Sequence, residues 1–297
     1  MEPAADCTRS LGDLLKVVAE RLAADGVADP PPPVELIAAR LLGLAREWLD
    51  SEVDRPPTPE ESDRLRRALD RIAAGEPAAY ILGAATFLGR EFEVTREALI
   101  PRRDTEELVR IVLREVRSRP SPGPLRLLEL GTGTGCVAIT LALELPAAAV
   151  VATDLSDACL AVAGRNARRH GVAERMTLVQ GDLFEPLGRL AGGGPFDAIV
   201  SNPPYIPTGR IDAMGRAVAR HEPHLALDGG ADGLDFHRRI LAEAPRYLAP
   251  GGLVFLEHES DEGALARRIG ERAVAFEDVR DLRDSRGLDR VLTARRR

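Results

Sequence analysis

From residue 125 onward the chain alternates short apolar runs with amphipathic stretches of helical length, and few folds accept that rhythm. The runs are LRLLEL at 125–130, AAVVAT at 148–153, MTLVQG at 176–181, FDAIVS at 196–201 and GLVFLE at 252–257. Helical stretches such as 156–170 and 233–248 lie between them. Strands that alternate with helices are joined by crossovers, which favours a parallel sheet with helices on both faces. The last two runs, 273–282 and 288–295, leave no room for a helix between them. They predict an antiparallel hairpin on the edge of the sheet. The expected fold is α/β: a Rossmann-like, doubly wound, seven-stranded sheet with that edge hairpin.

The N-terminal part has a different period. Leu11, Leu14, Leu15, Val18 and Leu22 share one helical face, and residues 34–49 and 59–74 repeat the pattern. Trp48 and Leu49 are expected to close the first of these helices and Pro59 to open the second, with Asp29–Pro33 as a stiff break. Residues 1–75 therefore predict a small helical bundle. It carries fifteen acidic against ten basic residues and no catalytic constellation, so docking or packing is its expected task. Residues 76–104 read as a β-hairpin connector, with Phe87, Phe92, Val94 and Leu99 alternating and Gly83 and Gly89 as punctuation. Pro101 then leads into a helix at Thr105–Arg117, and 105–297 form the main domain.

Composition narrows the function. No window approaches the roughly eighteen apolar residues that a membrane span needs. Residues 1–10 carry neither a basic start nor an apolar run, so a cytoplasmic protein is expected. Three cysteines without a CxxC spacing argue against a disulfide scaffold or a zinc site. A net charge of −7 and a pI near 5.4 disfavour a grip on long nucleic acid. The one basic run, Arg295-Arg296-Arg297, reads as a solvated tail. His221 and His224 flank Glu222 and Pro223 without the placement of a metal cluster, and no metal is expected. Cys136 reads as a small packing residue under the turn that precedes it.

The chemistry concentrates at strand ends. Leu127-Leu128-Glu129-Leu130-Gly131-Thr132-Gly133-Thr134-Gly135 runs a buried strand into a glycine turn and a helix. Such a turn lets backbone approach a ligand closely. A dinucleotide fold would want glycine at 136, which is Cys136, and a P-loop would want a lysine, whereas Lys16 is the sole lysine. What remains is a turn preceded by an acid, Glu129, which suits S-adenosylmethionine. Its methionyl ammonium and carboxylate can use the acid and the turn's amides. Asp154, with Leu155 beside it, ends the second strand, where a carboxylate can take both ribose hydroxyls. Asp182 and Leu183 end the third, suited to an adenine amino group and ring.

The fourth strand runs into Asn202-Pro203-Pro204-Tyr205. In an open α/β sheet this strand returns beside the first, at the crevice where strand order reverses. A planar nitrogen conjugated to a carbonyl or a ring is a poor nucleophile. Acceptors that draw its two N–H hydrogens release the lone pair for attack. The Asn202 side-chain oxygen and the Pro203 carbonyl are such acceptors, Pro204 holds them rigid, and Tyr205 offers a flat face for stacking. An activated methyl donor needs no general base, so positioning and electrostatics supply the acceleration.

Together ELGTGTG, TDLS, GDLF and SNPPY resemble class I S-adenosylmethionine-dependent methyltransferases of the amino-methylating group. Residues 76–107 and 222–240 are similar to the protein-(glutamine-N5) methyltransferase family that modifies class 1 peptide chain release factors. The likeness spans roughly residues 35–295 and extends to the helical bundle. It implies S-adenosylmethionine as cofactor, S-adenosylhomocysteine as product, and the glutamine of the release factor's Gly-Gly-Gln loop as substrate, held at Asn202–Tyr205. A monomer is expected, without direct nucleic-acid binding. Two departures bear on the substrate: Arg103 stands where the family has a second proline, and Glu257-His258-Glu259-Ser260 replaces a Glu-x-Gly pattern. Another protein or peptide amide, an adenine-N6 methyltransferase, and a binding module without catalysis remain the alternatives at this stage.

Overall fold

The computed structural model describes residues 10–24, 34–44, 53–119, 123–190, 194–214 and 220–297. Their contacts form two compact units, a first that runs to Ala84 and a second comprising Ala85–Met214 and Glu222–Arg297. The division falls inside the stretch 76–104 read above as a connector.

The first unit contains helices α1 (Leu11–Ala24), α2 (Val34–Leu42), α3 (Pro59–Ala73) and α4 (Ala78–Leu82). Leu11, Leu15, Val18 and Leu22 of α1 are buried with Ile37, Leu65 and Ile72, which is the face their spacing predicts. Helix α3 begins with a capping box: Thr58 accepts from the Glu61 N–H while Glu61 accepts from the Thr58 N–H, and Pro59 occupies the first turn. Arg55 adds a fork onto Glu61 at 2.7 and 2.6 Å, which holds that carboxyl at about 2. Helix α2 stops at Leu42, short of the expected 49. Gly43 takes φ +74° there and ends the helix in the left-handed region. Trp48, Leu49 and the break at 29–33 lie outside the described residues.

The second unit opens with a hairpin, β1 (Ala84–Phe87) and β2 (Arg90–Glu93), shorter than the alternation suggested. Its two-residue loop, Leu88-Gly89, has positive φ at both positions, the twist that suits a tight hairpin. Helix α5 (Arg103–Arg117) follows, and then the alternation β3 (Arg126–Leu130), α6 (Cys136–Glu144), β4 (Ala149–Asp154), α7 (Asp157–Arg169), β5 (Met176–Gln180) and β6 (Phe196–Ser201). Helix α8 (Asp235–Glu243), β7 (Leu248–Glu257), α9 (Gly263–Arg272), β8 (Phe276–Arg283) and β9 (Asp289–Arg296) complete it.

The strand order is β5-β4-β3-β6-β7-β9-β8. The first five strands of that order are parallel, and β9 pairs antiparallel with both β7 and β8. The central strands β3, β4, β6 and β7 bury both faces, so neighbours along the chain enter different cores. Leu127, Val150, Ala152 and Val200 join α5 and α6 in one layer. Leu128, Val151, Ile199 and Val254 join α8 and α9 in the other. The expected solvated tail is in fact strand: Arg295 lies opposite Leu253 in β9 and pairs with Glu277 at 3.2 Å. Val291, Leu292 and Ala294 are fully buried, so their strand carries the arginines along with it.

The chain leaves β3 towards β4 and β5, then returns to lay β6 on the other side of β3. The crevice of the sheet therefore lies at the C-terminal ends of β3 and β6. One buried side chain, Asn166 of α7, ties this edge to the hairpin. Its Oδ1 accepts from the Glu93 N–H at 2.8 Å, and its Nδ2 donates to the carbonyls of Glu93 and Thr134 at 3.0 and 2.9 Å. Replacing it strands three backbone groups in a dry interior. Asn166→Ala should therefore lower the unfolding free energy by about 2–4 kcal/mol, read from urea-induced unfolding. A loss within the scatter of surface substitutions would show that these bonds are replaced by water at little cost.

Candidate active site

The turn after β3 exists because three glycines take backbone conformations closed to other residues. Gly131, Gly133 and Gly135 have φ of +71°, +54° and +81°. A Cβ on Gly135 would come within 2.9 Å of Ile139 and 3.0 Å of Ala163, so this position also sets how closely α6 and α7 approach. Most of the turn's amides are used internally. Gly131 and Thr132 donate to the Thr153 carbonyl at 2.9 and 3.0 Å, Gly133 to Asp154 Oδ2 at 2.8 Å, and Gly135 to the Thr132 carbonyl at 2.8 Å. The expectation that this turn greets a ligand carboxylate with a row of free amides is thus corrected for these four. What the glycines supply is shape.

Beneath the turn Glu129 is 3 % exposed. Both its protein donors, the Thr132 hydroxyl and the Ala138 N–H at 3.2 Å, fall on Oε2. Burial pushes its carboxyl up to about 8, against the pull of those two donors. Asp154 closes β4. Its Oδ2 is taken by Gly133 and its Oδ1 by the Ser156 N–H at 2.9 Å, leaving lone pairs on both oxygens. Burial raises its pKa too, with the two amides opposing. Asp182 pairs with Arg239 at 2.6 Å on the rim, where both side chains are well exposed and such a pair contributes little. Leu183 holds φ +50°, an uncommon conformation for a leucine, with its carbonyl accepting from the buried Thr153 hydroxyl at 3.0 Å.

Asn202 leaves β6 directly after Ser201, whose hydroxyl donates to the Leu130 carbonyl at 2.7 Å and locks the two strand ends together. The Asn202 Nδ2 donates to Thr105 Oγ1 at 2.9 Å. Thr105, in the first turn of α5, donates in turn to Glu257 Oε1 at 3.2 Å, and Tyr205 Oη donates to the same oxygen at 3.4 Å. Burial, with Glu257 beside it, drives the Tyr205 phenol well above its ordinary value.

A cavity of about 310 Å³ lies over these strand ends. Of the residues singled out in the sequence, Glu129, Gly131, Thr132, Gly133, Thr134, Asp154, Leu155, Asp182, Leu183, Asn202, Pro203 and Pro204 line it. Gly135 and Tyr205 do not; one shapes the turn from behind, the other turns its hydroxyl to Glu257. The sequence reading missed Thr105 and Arg102 in the wall. Arg102, in the wall, forms an ion pair with the buried carboxylate of Glu222. Both missed residues sit in the segment that carried the family likeness, which was the available signal. Among the described residues no group of His, Cys, Asp or Glu could hold a metal ion.

The arrangement offers a dry carboxylate, a half-buried one, a shaped backbone turn and a neutral amide at the end of the neighbouring strand. That set can bind a cationic nucleoside-like ligand and hold a polar group against it. Known proteins agree. A family model for the PrmC N-terminal domain matches residues 13–83, and one for the methyltransferase small domain matches 110–231. The hMettl16 catalytic domain, solved with an RNA hairpin, superposes with a TM-score of 0.51 at 16 % identity over 80 % of this chain and 81 % of that one, a likeness of fold. The release factor glutamine methyltransferase of Geobacter sulfurreducens is 43 % identical over 92 % of both chains. That of Moorella thermoacetica is 41 % identical over 97 % of this chain and 98 % of its own. With identity of this order sustained from end to end, the chain belongs to the release factor glutamine methyltransferase family.

Proposed function

We propose that this protein transfers a methyl group from S-adenosylmethionine to the side-chain amide nitrogen of a protein glutamine, that of the Gly-Gly-Gln loop of class 1 release factors. The observation that carries the reading is that one cavity joins the glycine turn and Asp154 to Asn202–Pro204. The names of the relatives support the substrate. The helical N-terminal unit serves to dock the protein partner. The reaction belongs to the cytoplasm, where release factors act, and a single chain suffices for it.

The residues fit the cofactor. Glu129 would hold the methionyl ammonium through the oxygen its protein donors leave open, and Asp154 the ribose hydroxyls through its remaining lone pairs. Leu155, Asp182 and Leu183 would bound the adenine. The cofactor would supply, when bound, a methyl on a sulfonium whose thioether leaves readily enough that no general base is required before transfer, and the proton that the methylated nitrogen sheds passes to solvent. The chain's own task is to orient the amide. Asn202 Oδ1 and the Pro203 carbonyl accept its two N–H hydrogens and favour the geometry in which the nitrogen lone pair is least delocalised. Pro204 fixes that turn, and the apolar wall keeps water from competing for the acceptors.

Incubation of the protein with S-adenosylmethionine and a class 1 release factor, followed by peptide mass spectrometry, should find one added methyl on the Gly-Gly-Gln glutamine. Methylation of another residue, or none while cofactor is bound, would overturn the substrate. Two substitutions should separate the halves of the site. Asn202→Ala should lower kcat by about a hundredfold or more, as loss of a preorganised transition-state contact does, with cofactor Kd within a few fold. Asp154→Ala should weaken cofactor binding by about 10- to 150-fold, the worth of a charged hydrogen bond. Equal effects of both on Kd would refute the division.

Glu129 gives a test by pH. With its carboxyl at about 8, most free sites hold a proton there at pH 7, and a bound ammonium favours the carboxylate. Cofactor binding should release most of one proton from this residue at pH 7, declining as pH rises through about 8. Titration calorimetry in buffers of different ionisation enthalpy measures it, and Glu129→Gln should remove this component.

A further inference from the structure

An asparagine amide is nearly symmetric in shape, and turning it over exchanges an acceptor for a donor. The reaction proposed above needs the acceptor towards the cavity. Nothing in Asn202 itself decides this, so the decision lies with what its other end touches. That end meets Thr105 Oγ1 at 2.9 Å, and a hydroxyl alone is ambivalent: it can donate or accept. Glu257 Oε1 lies 3.2 Å from the same hydroxyl and is also met by Tyr205 Oη, so it accepts whether the group is ionised or carries a proton on Oε2. The hydroxyl proton therefore goes to Glu257, Thr105 is left with lone pairs for Asn202, and Nδ2 must face it.

We propose that Thr105 and Glu257 are positioning residues of the methyl transfer, a two-step relay that holds the Asn202 amide with Oδ1 towards the substrate nitrogen. The proposal rests on the reading of Asn202 as the substrate's acceptor. Its parts come from three separate elements: the start of α5, the end of β7 and the end of β6. Tyr205 Oη spends its proton on the same Glu257 oxygen at 3.4 Å, which ties the residue that follows Pro204 to the same anchor.

The cost of the arrangement argues that it is not incidental packing. Glu257 is 0 % exposed, its Oε2 has no hydrogen-bond partner among the described residues, and burial pushes its carboxyl up to about 7. A buried carboxylate with one oxygen unsatisfied is destabilising, and an apolar residue would fill the place more cheaply. An apolar residue could not, however, decide the direction of Thr105. Neither residue reaches the reacting atoms; both act through Asn202.

The experiment combines kinetics with the unliganded full-length protein in solution. Thr105→Val, which keeps shape and loses the hydroxyl, should lower kcat about tenfold, the worth of one hydrogen bond, with cofactor Kd and release factor KM within about threefold. Thr105→Ser should restore most of the loss. Glu257→Met should lower kcat in the wild-type background and have a much smaller further effect in Thr105→Val, where only its hold on Tyr205 is left to lose. Independently of turnover and of any variant's folding, nuclear Overhauser contacts from the Asn202 Nδ2 hydrogens to the Thr105 methyl should be present in the wild-type protein. Unchanged kcat in Thr105→Val, additive effects of the two substitutions, or absence of those contacts would each overturn the relay. Wild-type protein that has the contacts yet leaves the release factor unmodified would count against the proposed reaction, with the orientation of Asn202 still standing.

Discussion

The second unit is organised around the backbone turn that follows β3. The turn and its three left-handed glycines are tied to separate elements: the Thr153 carbonyl and Asp154 carboxylate at the end of β4 accept from Gly131, Thr132 and Gly133, and Asn166 within α7 donates to the Thr134 carbonyl. Glu129 grips the start of α6 from below through Ala138. Because β6 returns beside β3, the Ser201 hydroxyl on the Leu130 carbonyl carries the same registration to Asn202. Position therefore passes from a local backbone constraint to Asn202, the residue proposed to meet the substrate, through bonds that are short and mostly buried. The hairpin joins the same scheme, since Asn166 holds Glu93 and Thr134 at once.

The site is also electrically unrelieved. Burial raises the carboxyls of Glu129 to about 8, Glu257 to about 7 and Glu262 to about 7, and raises Asp154 as well. Elsewhere the chain pairs its acids: Arg55 answers Glu61, Arg71 answers Glu76 and Arg165 answers Glu93. The contrast is physical. A paired acid holds the fold, whereas Glu129 and Asp154, desolvated without a guanidinium, store an attraction for a cation or a proton donor that arrives later; Glu257 feels Arg290, which opposes the effect of burial. Glu129 and Asp154 line the cavity where such a ligand enters, and Glu257 stands one hydroxyl behind it.

What could be read from the sequence follows the range of the interactions. The glycine turn, the acids at strand ends and Asn202-Pro203-Pro204 were legible, because each is a local motif whose backbone requirement is written within a few residues. The alternation of apolar runs gave the sheet, since burial on both faces leaves a continuous apolar signature. Thr105 and Glu257 were not legible. Thr105 lies 97 residues from Asn202 and 152 residues from Glu257 in sequence, and nothing local to any of the three brings them together. Asn166 likewise looks like one more polar residue on an amphipathic helix until its three partners are known. The C-terminal arginines misled for the opposite reason: local charge suggested solvent, while pairing with β7 and β8 extended the strand through them.

Why the end of β6 carries an asparagine rather than a carboxylate follows from the same electrostatics. A carboxylate would be the stronger acceptor, yet it would add another anion to a cavity already lined by Glu129 and Asp154, and its ionisation would follow the pH and the ligand. It could also take a proton, which an amide nitrogen about to be methylated has no need to give up in advance. A neutral amide oxygen neither titrates nor competes for the cofactor's positive charge. Its weakness is that it has two ends, and the surrounding protein must choose between them. In the proposed relay the buried carboxylate that chooses stands behind Thr105, placed to direct the hydrogen bond without joining the chemistry.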